Sequence, residues 1–230
     1  MPPSRAPRRY PLLMRDMFHE ELEGINTTLL GMAGLVKEAL TQSSQALVNA
    51  DLATAEKVIA ADDAIDNMHH DLDARIINLM ARQQPVASDL RVLVAALRIS
   101  ADLERMGDLA HHVAKLARMR YPNKAVPMEL EATINNMGTT NERITEKMIT
   151  VLQYRDLTRA LEMEVDDDEM DTLHRDLIST LVGDSWTYGI ESAIDMTLLG
   201  RYFERFADHA VSIGHRVYFM VTGEYAAEEK

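Results

Sequence analysis

Four pairs of acidic residues stand four positions apart in the chain: Asp62/Asp66, Glu104/Asp108, Asp167/Asp171 and Glu204/Asp208. On a helix, residues i and i+4 share a face with their β-carbons about 5–6 Å apart, so both carboxylates of a pair point the same way. Like charges so placed cost a few tenths of a kcal/mol. A bound cation reverses that sign, because Mg²⁺, Mn²⁺ or iron accepts several carboxylate oxygens. The chemistry these spacings suit is therefore coordination of a divalent or trivalent metal ion, with Fe, Mn, Zn and Mg as candidates. His69 and His174 lie three positions beyond Asp66 and Asp171, on the same face, and are candidate further ligands. Neutral imidazole suits iron, zinc or manganese better than magnesium. His111 or His112 follows Asp108, and His215 lies two turns beyond Asp208, whereas His19 reads as incidental. Arg105 and Arg205 each follow the first acid of a pair. Side chains at i and i+1 do not share a face, so these arginines read as bridges to an adjacent helix.

One such pair means little, since 37 acids in 230 residues give about six by random placement. The weight comes from repetition. A shift of 105 superimposes 51–72 on 156–177 with identities at Asp51, Leu52, Ala55, Asp62, Asp63, Asp66, His69, Asp71 and Leu72. A shift of 100 superimposes Glu104-Arg-Met-Gly-Asp108 on Glu204-Arg-Phe-Ala-Asp208. The five-residue difference falls between two helices, where a loop absorbs it. The chain is a tandem duplication, and all four acidic pairs occupy equivalent positions in its halves.

The elements that must carry these residues are helices. Aromatics make up only 5%, Gly and Pro number 10 and 7, and the composition lacks the turn residues of an all-β fold. Leu22, Ile25, Leu29, Met32, Leu35, Val36, Ala39, Leu40, Ala46 and Leu47 recur in steps of three and four as one apolar stripe. Asp51 is a suitable N-cap for a second helix to about Met80, and Ser88 for a third to about Tyr121. Helices near 128–153, 156–181 and 188–221 repeat the plan. The expected organisation is a flexible basic arm (1–13), a first three-helix repeat (14–121), a linker (122–127), a second repeat (128–222) and a tail (223–230). Arg5, Arg8 and Arg9 give the arm its charge.

Composition also excludes. Zero Cys removes disulfides, thiolate metal sites and cysteine nucleophiles, and fits a cytoplasmic protein. A net charge of −13 disfavours nucleic-acid binding. The densest apolar run, Val92 to Leu97, is too short for a membrane span, which needs about 18–20 residues. There is no G-x-S-x-G, P-loop, Rossmann fingerprint or H-E-x-x-H, so no catalytic residues are assigned and no enzyme is expected. Asp-x-x-His occurs at 66/69, 108/111 and 171/174, but the Glu-x-x-His of di-iron carboxylate enzymes does not. Trp186 and Tyr188 read as a loop packed on a helix end.

A tandem three-helix repeat with E(D)-x-x-x-D on two helices of each half resembles the PhoU family of bacterial phosphate-signalling regulators. Phe18-His-Glu-Glu-Leu22, Gln84-Pro-Val-Ala-Ser-Asp-Leu-Arg91, Leu103-Glu-Arg-Met-Gly-Asp108 and Phe203-Glu-Arg-Phe-Ala-Asp208 carry the resemblance over nearly the whole chain. Ala207 stands where the family usually has Gly. The resemblance implies an all-α fold of two three-helix bundles, six long helices in all. It also implies a negative regulator of the phosphate-starvation response, limiting phosphate uptake when phosphate is ample. The implied partners are the ATPase subunit of a phosphate ABC transporter and a phosphate-sensing histidine kinase. They are met by a homodimer held at the inner membrane face through those partners. The implied metal sites are Asp62, Asp66, Glu104 and Asp108, and Asp167, Asp171, Glu204 and Asp208. A carboxylate-bridged metalloenzyme and a metal-free helical adaptor are the alternatives.

Overall fold

The structure, a computed structural model, describes residues 10–226. Six long helices carry the chain: α1 (Tyr10–Asn49), α2 (Leu52–Gln83), α3 (Ser88–Arg120), α4 (Glu131–Tyr154), α5 (Leu157–Leu181) and α6 (Gly189–Thr222). A single 3₁₀ turn, Met128–Leu130, leads into α4. No helix among the described residues is long and apolar enough to cross a membrane.

The duplication shows in the caps. Asp51 accepts the amide of Thr54 at 3.1 Å, and Asp156 accepts that of Arg159 at the same distance. Each satisfies one of the four amides a helix start leaves free. Two boundaries differ from the sequence expectation. Ser88 is the first residue of α3 rather than its cap; Ala87 precedes it at φ 47 with no side-chain bond. The first helix begins at Tyr10, not 14, with Pro11 in its first turn, where a missing amide is tolerated. The rest of the expected arm, residues 1–9, lies outside the described residues, as does the tail from 227.

Helices α1, α2 and α3 pack as one bundle and α4, α5 and α6 as a second, and the bundles join through α1 against α4 and α3 against α6. The α1 stripe closes the first core: Ile25, Leu29, Met32, Val36, Leu40, Ala46 and Leu47 are all buried. Truncating one such leucine to alanine costs about 2–5 kcal/mol. Both joining pairs are antiparallel. Lys37 reaches Glu146 at 2.8 Å and Thr41 reaches Glu142 at 2.9 Å across α1 and α4. Along α3 and α6, Arg120 donates to Asp195 and Glu191, and Arg216 donates to Asp102. Asp102 and Asp195, with Asp166 against Arg143 and Lys147, are buried acids matched by bases of another helix. Those two bonds raise the Arg120 pKa above its ordinary value, the bond to Asp195 contributing most.

Candidate functional site

The acidic pairs face one another between α2 and α3 in the first half and between α5 and α6 in the second. Close helix approach makes this possible. A methyl group on Gly107 would lie 2.9 Å from Ile65 Cδ1 and 3.6 Å from Asp62 Oδ1, so the glycine lets α2 bring Asp62 against α3. In the second half the equivalent positions are Ala207 and Met170, both fully buried; a longer, unbranched side chain opposes the added methyl.

In the first cluster Asp62, Asp108 and His111 offer ligand atoms within 4.8 Å of one another, the sole such group of three among the described residues. His111 Nδ1 bonds Asp62 Oδ2 in a short contact, and the two side chains are 16% and 11% exposed. The other ring nitrogen, Nε2, is sealed from solvent with no hydrogen-bond partner. Burial raises the Asp62 pKa; the bond from His111 opposes the rise, and the charges of Asp108 and Asp66 add to it. Burial, then Asp108, raises Glu104, with Arg105 opposing and Asp66 adding. All four predicted acids of this half therefore act on one another.

His69, expected beside them, acts electrostatically on Glu104 but has bonded partners of its own. His69 Nδ1 lies 2.8 Å from Ser100 Oγ, and its Nε2 lies 3.8 Å from Asp73, so both ring nitrogens are engaged along the α2–α3 seam. The imidazole that meets the acids is His111, named in the sequence as one of two neighbours of Asp108. Arg105 also departs from expectation. It does not bridge to another helix but folds along its own, donating to Asp108 at 2.8 Å and approaching Glu104 at 3.4 Å. A three-residue separation on a helix is within reach of a flexible arginine.

The second cluster holds Asp167, Asp171, Glu204 and Asp208, and no histidine joins it as His111 does: position 211 is valine. Asp167 is pushed up to about 7 by burial, then by Asp208 and Asp171. Burial, then Asp208, raises Glu204; burial raises Asp208 against the opposing charge of Arg201. Asp167 Oδ1 and Glu204 Oε2 are sealed without a hydrogen-bond partner, although Arg201 bonds the other oxygen of Glu204. His174 stands against Gly200, its Cδ2 3.1 Å from where a methyl there would lie, and burial lowers its pKa. Gly200 occupies the place of Ser100 in the first half, so the two histidines keep equivalent positions while only His69 has a hydroxyl to bond.

Contacts beside both clusters cross the α3–α6 seam: His209, next to Asp208, lies 3.1 Å from Asp102, two residues before Glu104. His111 and His112 rings lie 6.0 Å apart, and His112 stacks on Tyr202 of α6 at 5.2 Å and 25°. Tyr202 is two residues before Glu204. Trp186 meanwhile packs against the core and donates to Gly189 O at 2.9 Å, tying down the turn before α6 as expected for a packed loop.

This architecture has close relatives. The PhoU domain model matches residues 29–117 and again 134–217. The Mycobacterium tuberculosis protein called phosphate-specific transport system accessory protein PhoU homolog 2 is 40% identical over 212 residues, which is 92% of this chain and all of that one. Homolog 1 from the same organism is 40% identical over 217 residues, covering 94% and 98%. The crystal structure of PhoU from Pseudomonas aeruginosa superimposes with a TM-score of 0.80 at 28% identity, covering 90% of this chain and all of that one. The phosphate transport system regulatory protein PhoU from Streptococcus pneumoniae gives 0.82 at 25%, covering 91% and 99%. With two matched domains spanning most of its length and the duplicated bundle in place, the chain belongs to the PhoU family.

Proposed function

We propose that this protein is an accessory of phosphate-specific transport that acts as a negative regulator of the phosphate-starvation response. It couples a phosphate ABC transporter to a sensor histidine kinase as a cytoplasmic homodimer, and it restrains uptake when phosphate is ample. The observation that carries the reading is the family domain found twice, together with relatives whose own names place them in phosphate-specific transport.

The two carboxylate clusters are its proposed metal sites. Three sealed, unpartnered ligand atoms support the fit: His111 Nε2, Asp167 Oδ1 and Glu204 Oε2. Leaving such groups unpaired in a folded interior costs about 1–3 kcal/mol each, and a cation would relieve it. Asp62, Asp108 and His111, with Asp66 and Glu104 beside them, would hold one ion. Asp167, Asp171, Glu204 and Asp208 would hold the other. A bound Fe, Mn, Zn or Mg ion supplies positive charge that turns mutually repelling carboxylates into an ordered face. The residues' own part is to hold their oxygens in place on two packed helices.

The test is alkaline phosphatase output at high phosphate in a strain lacking the gene. It compares rescue by the intact chain with rescue by a variant carrying Asn or Gln at all eight acids. Derepression rescued by the intact chain alone ties regulation to the acidic faces, provided the variant still folds. Equal rescue keeps the regulator and removes the metal from its action. No derepression in the deletion strain overturns the reading.

A further inference from the structure

The duplication also makes the two ends of the α3–α6 seam comparable, and they are finished differently. At one end Arg120 of α3 is held by Glu191 and Asp195 of α6. The connecting segment starts from that end at Tyr121, with Ala125, Val126 and Leu130 buried in the core. The shift of 100 carries Glu191 back to Arg91, Asp195 to Ala95 and Arg120 forward to Met220. At the second end, then, a guanidinium stands where the first end has a carboxylate; it lies against Gly223, the C-cap of α6, 2.8 Å from where a methyl group there would be, and no carboxylate bonds it among the described residues. Arg91 makes no hydrogen bond or ion pair through its side chain among the described residues, and its Nε is sealed from solvent without an acceptor.

This end is open. A cleft of about 720 Å³ lies between α1, α3, α4 and α6, floored by apolar side chains such as Ile25, Ile99 and Val217, with Arg91 and Arg155 on its walls. Arg155 is exposed, unpaired among the described residues, and held in the left-handed region at φ 55 as the residue ending α4. Glu23 and Asp89 also line the cleft, and neither forms an ion pair with an arginine among the described residues. Exposed Val86, Leu90, Tyr154 and Val221 belong to the same helix ends. Exposed apolar side chains clustered with unpaired arginine are the composition of a protein-binding surface rather than of ordinary surface.

We propose that this cleft docks an acidic, apolar peptide segment of a partner protein, which supplies here what the chain supplies to itself at the other end. The segment presents a carboxylate to Arg91, in the role of Glu191 and Asp195. It lays two or three small or branched apolar side chains on the floor, in the role of Ala125, Val126 and Leu130. Arginine suits the first task because its planar fork meets a carboxylate with two parallel bonds. In a chain of net charge −13, a guanidinium left without a carboxylate is an unmet interaction. The basic residues of the 1–9 segment cannot meet it. The inference does not depend on the regulatory reading or on metal.

The experiment uses the full chain and a fluorescein-labelled peptide with the sequence of residues 125–131, AVPMELE, which combines both features. Fluorescence anisotropy is expected to show saturable binding. Arg91→Ala should weaken it about tenfold or more, and a peptide with both glutamates changed to glutamine should lose as much against the intact chain yet little further against Arg91→Ala. Arg155→Glu, an exposed change that leaves the fold alone, should weaken binding as well. Absence of saturable binding overturns the proposal, as does binding indifferent to both arginine changes. Binding only to a chain shortened after Ala226 also overturns it, since the occupant would then be the chain's own tail.

Discussion

The two halves keep the same acids and calm them by different means. In the first, His111 meets Asp62, and Arg105 lies on Glu104 and Asp108, so bases carried within the repeat offset the crowded charge. In the second, Val211 takes the histidine's place, Arg201 bonds Glu204 and acts on Asp208 by charge alone, and Asp167 is driven up to about 7. Near neutral pH that group retains a proton much of the time. Duplication fixed where the carboxylates stand, and divergence then chose between a neighbouring base and a retained proton as the answer to burying them. The second cluster thus has more to gain from a cation.

The largest expected effect follows from Asp167. Its folded pKa, about 7, lies well above the ordinary 3.8 of an aspartate. The protonated form is thus favoured in the fold, and the stabilisation is complete below about pH 4 and lost as pH rises through about 7. Three units correspond to at most roughly 4 kcal/mol, which solvent screening reduces to on the order of 2. Metal-free protein should melt at progressively lower temperature between those pH values. Asp167→Asn should flatten the slope and raise stability at pH 8. Asp62→Asn should gain less, because it also gives up the bond from His111. Equal gains at the two positions would erase the contrast between the halves.

Next in size is the cation itself. Adding Mn²⁺ or Mg²⁺ to the stripped protein at a hundredfold excess over the dissociation constant should stabilise it by about 2.7 kcal/mol for each site filled. Glu204→Gln with Asp208→Asn should remove the contribution of the second half, read from calorimetric melts. Removing the first half's own base comes third. His111→Val copies the second half and leaves Asp62 buried without its partner, at a cost of about 1–3 kcal/mol. Urea titrations should show this cost to be greater at pH 8 than at pH 5, because the lost bond supported the charged form of Asp62. The smallest effect tests what both halves share. Asp156→Ala should cost about 1 kcal/mol through the lost cap, and Asp51→Ala should likewise lower the melting temperature.

How far these features could be read from the sequence depends on the range of the interaction behind them. Caps at Asp51 and Asp156, the apolar stripe of α1 and the paired acids are local patterns, set by a helix's own 3.6-residue period, and the fold follows from them. The duplication went further, giving equivalence between α3 and α6 without any knowledge of contacts. What stayed hidden was pairing at a distance. Asp102, Asp166 and Asp195 look like any other acid on a polar helix face, and only packing reveals that Arg216, Arg143 and Arg120 lie opposite. That His111 rather than His69 bonds Asp62 was hidden for the same reason. His69 has helical spacing from Asp62 and Asp66 in its favour, but Ser100 on the next helix claims its ring.

The stack of His112 on Tyr202 places the two clusters in each other's thermodynamic account. Helix α2 carries half of the first cluster and α5 half of the second, while α3 and α6 carry the other halves and pack on each other directly, so their seam, where that stack lies, is a short route from one site to the other. Binding equilibria are reciprocal: if an ion in the first half changes affinity in the second by some factor, an ion in the second changes the first by the same factor. Titrations of Tyr202→Ala and of the intact chain, each begun from either half, would give that one factor twice, and its fall toward unity in the variant would measure how much of the conversation two rings conduct.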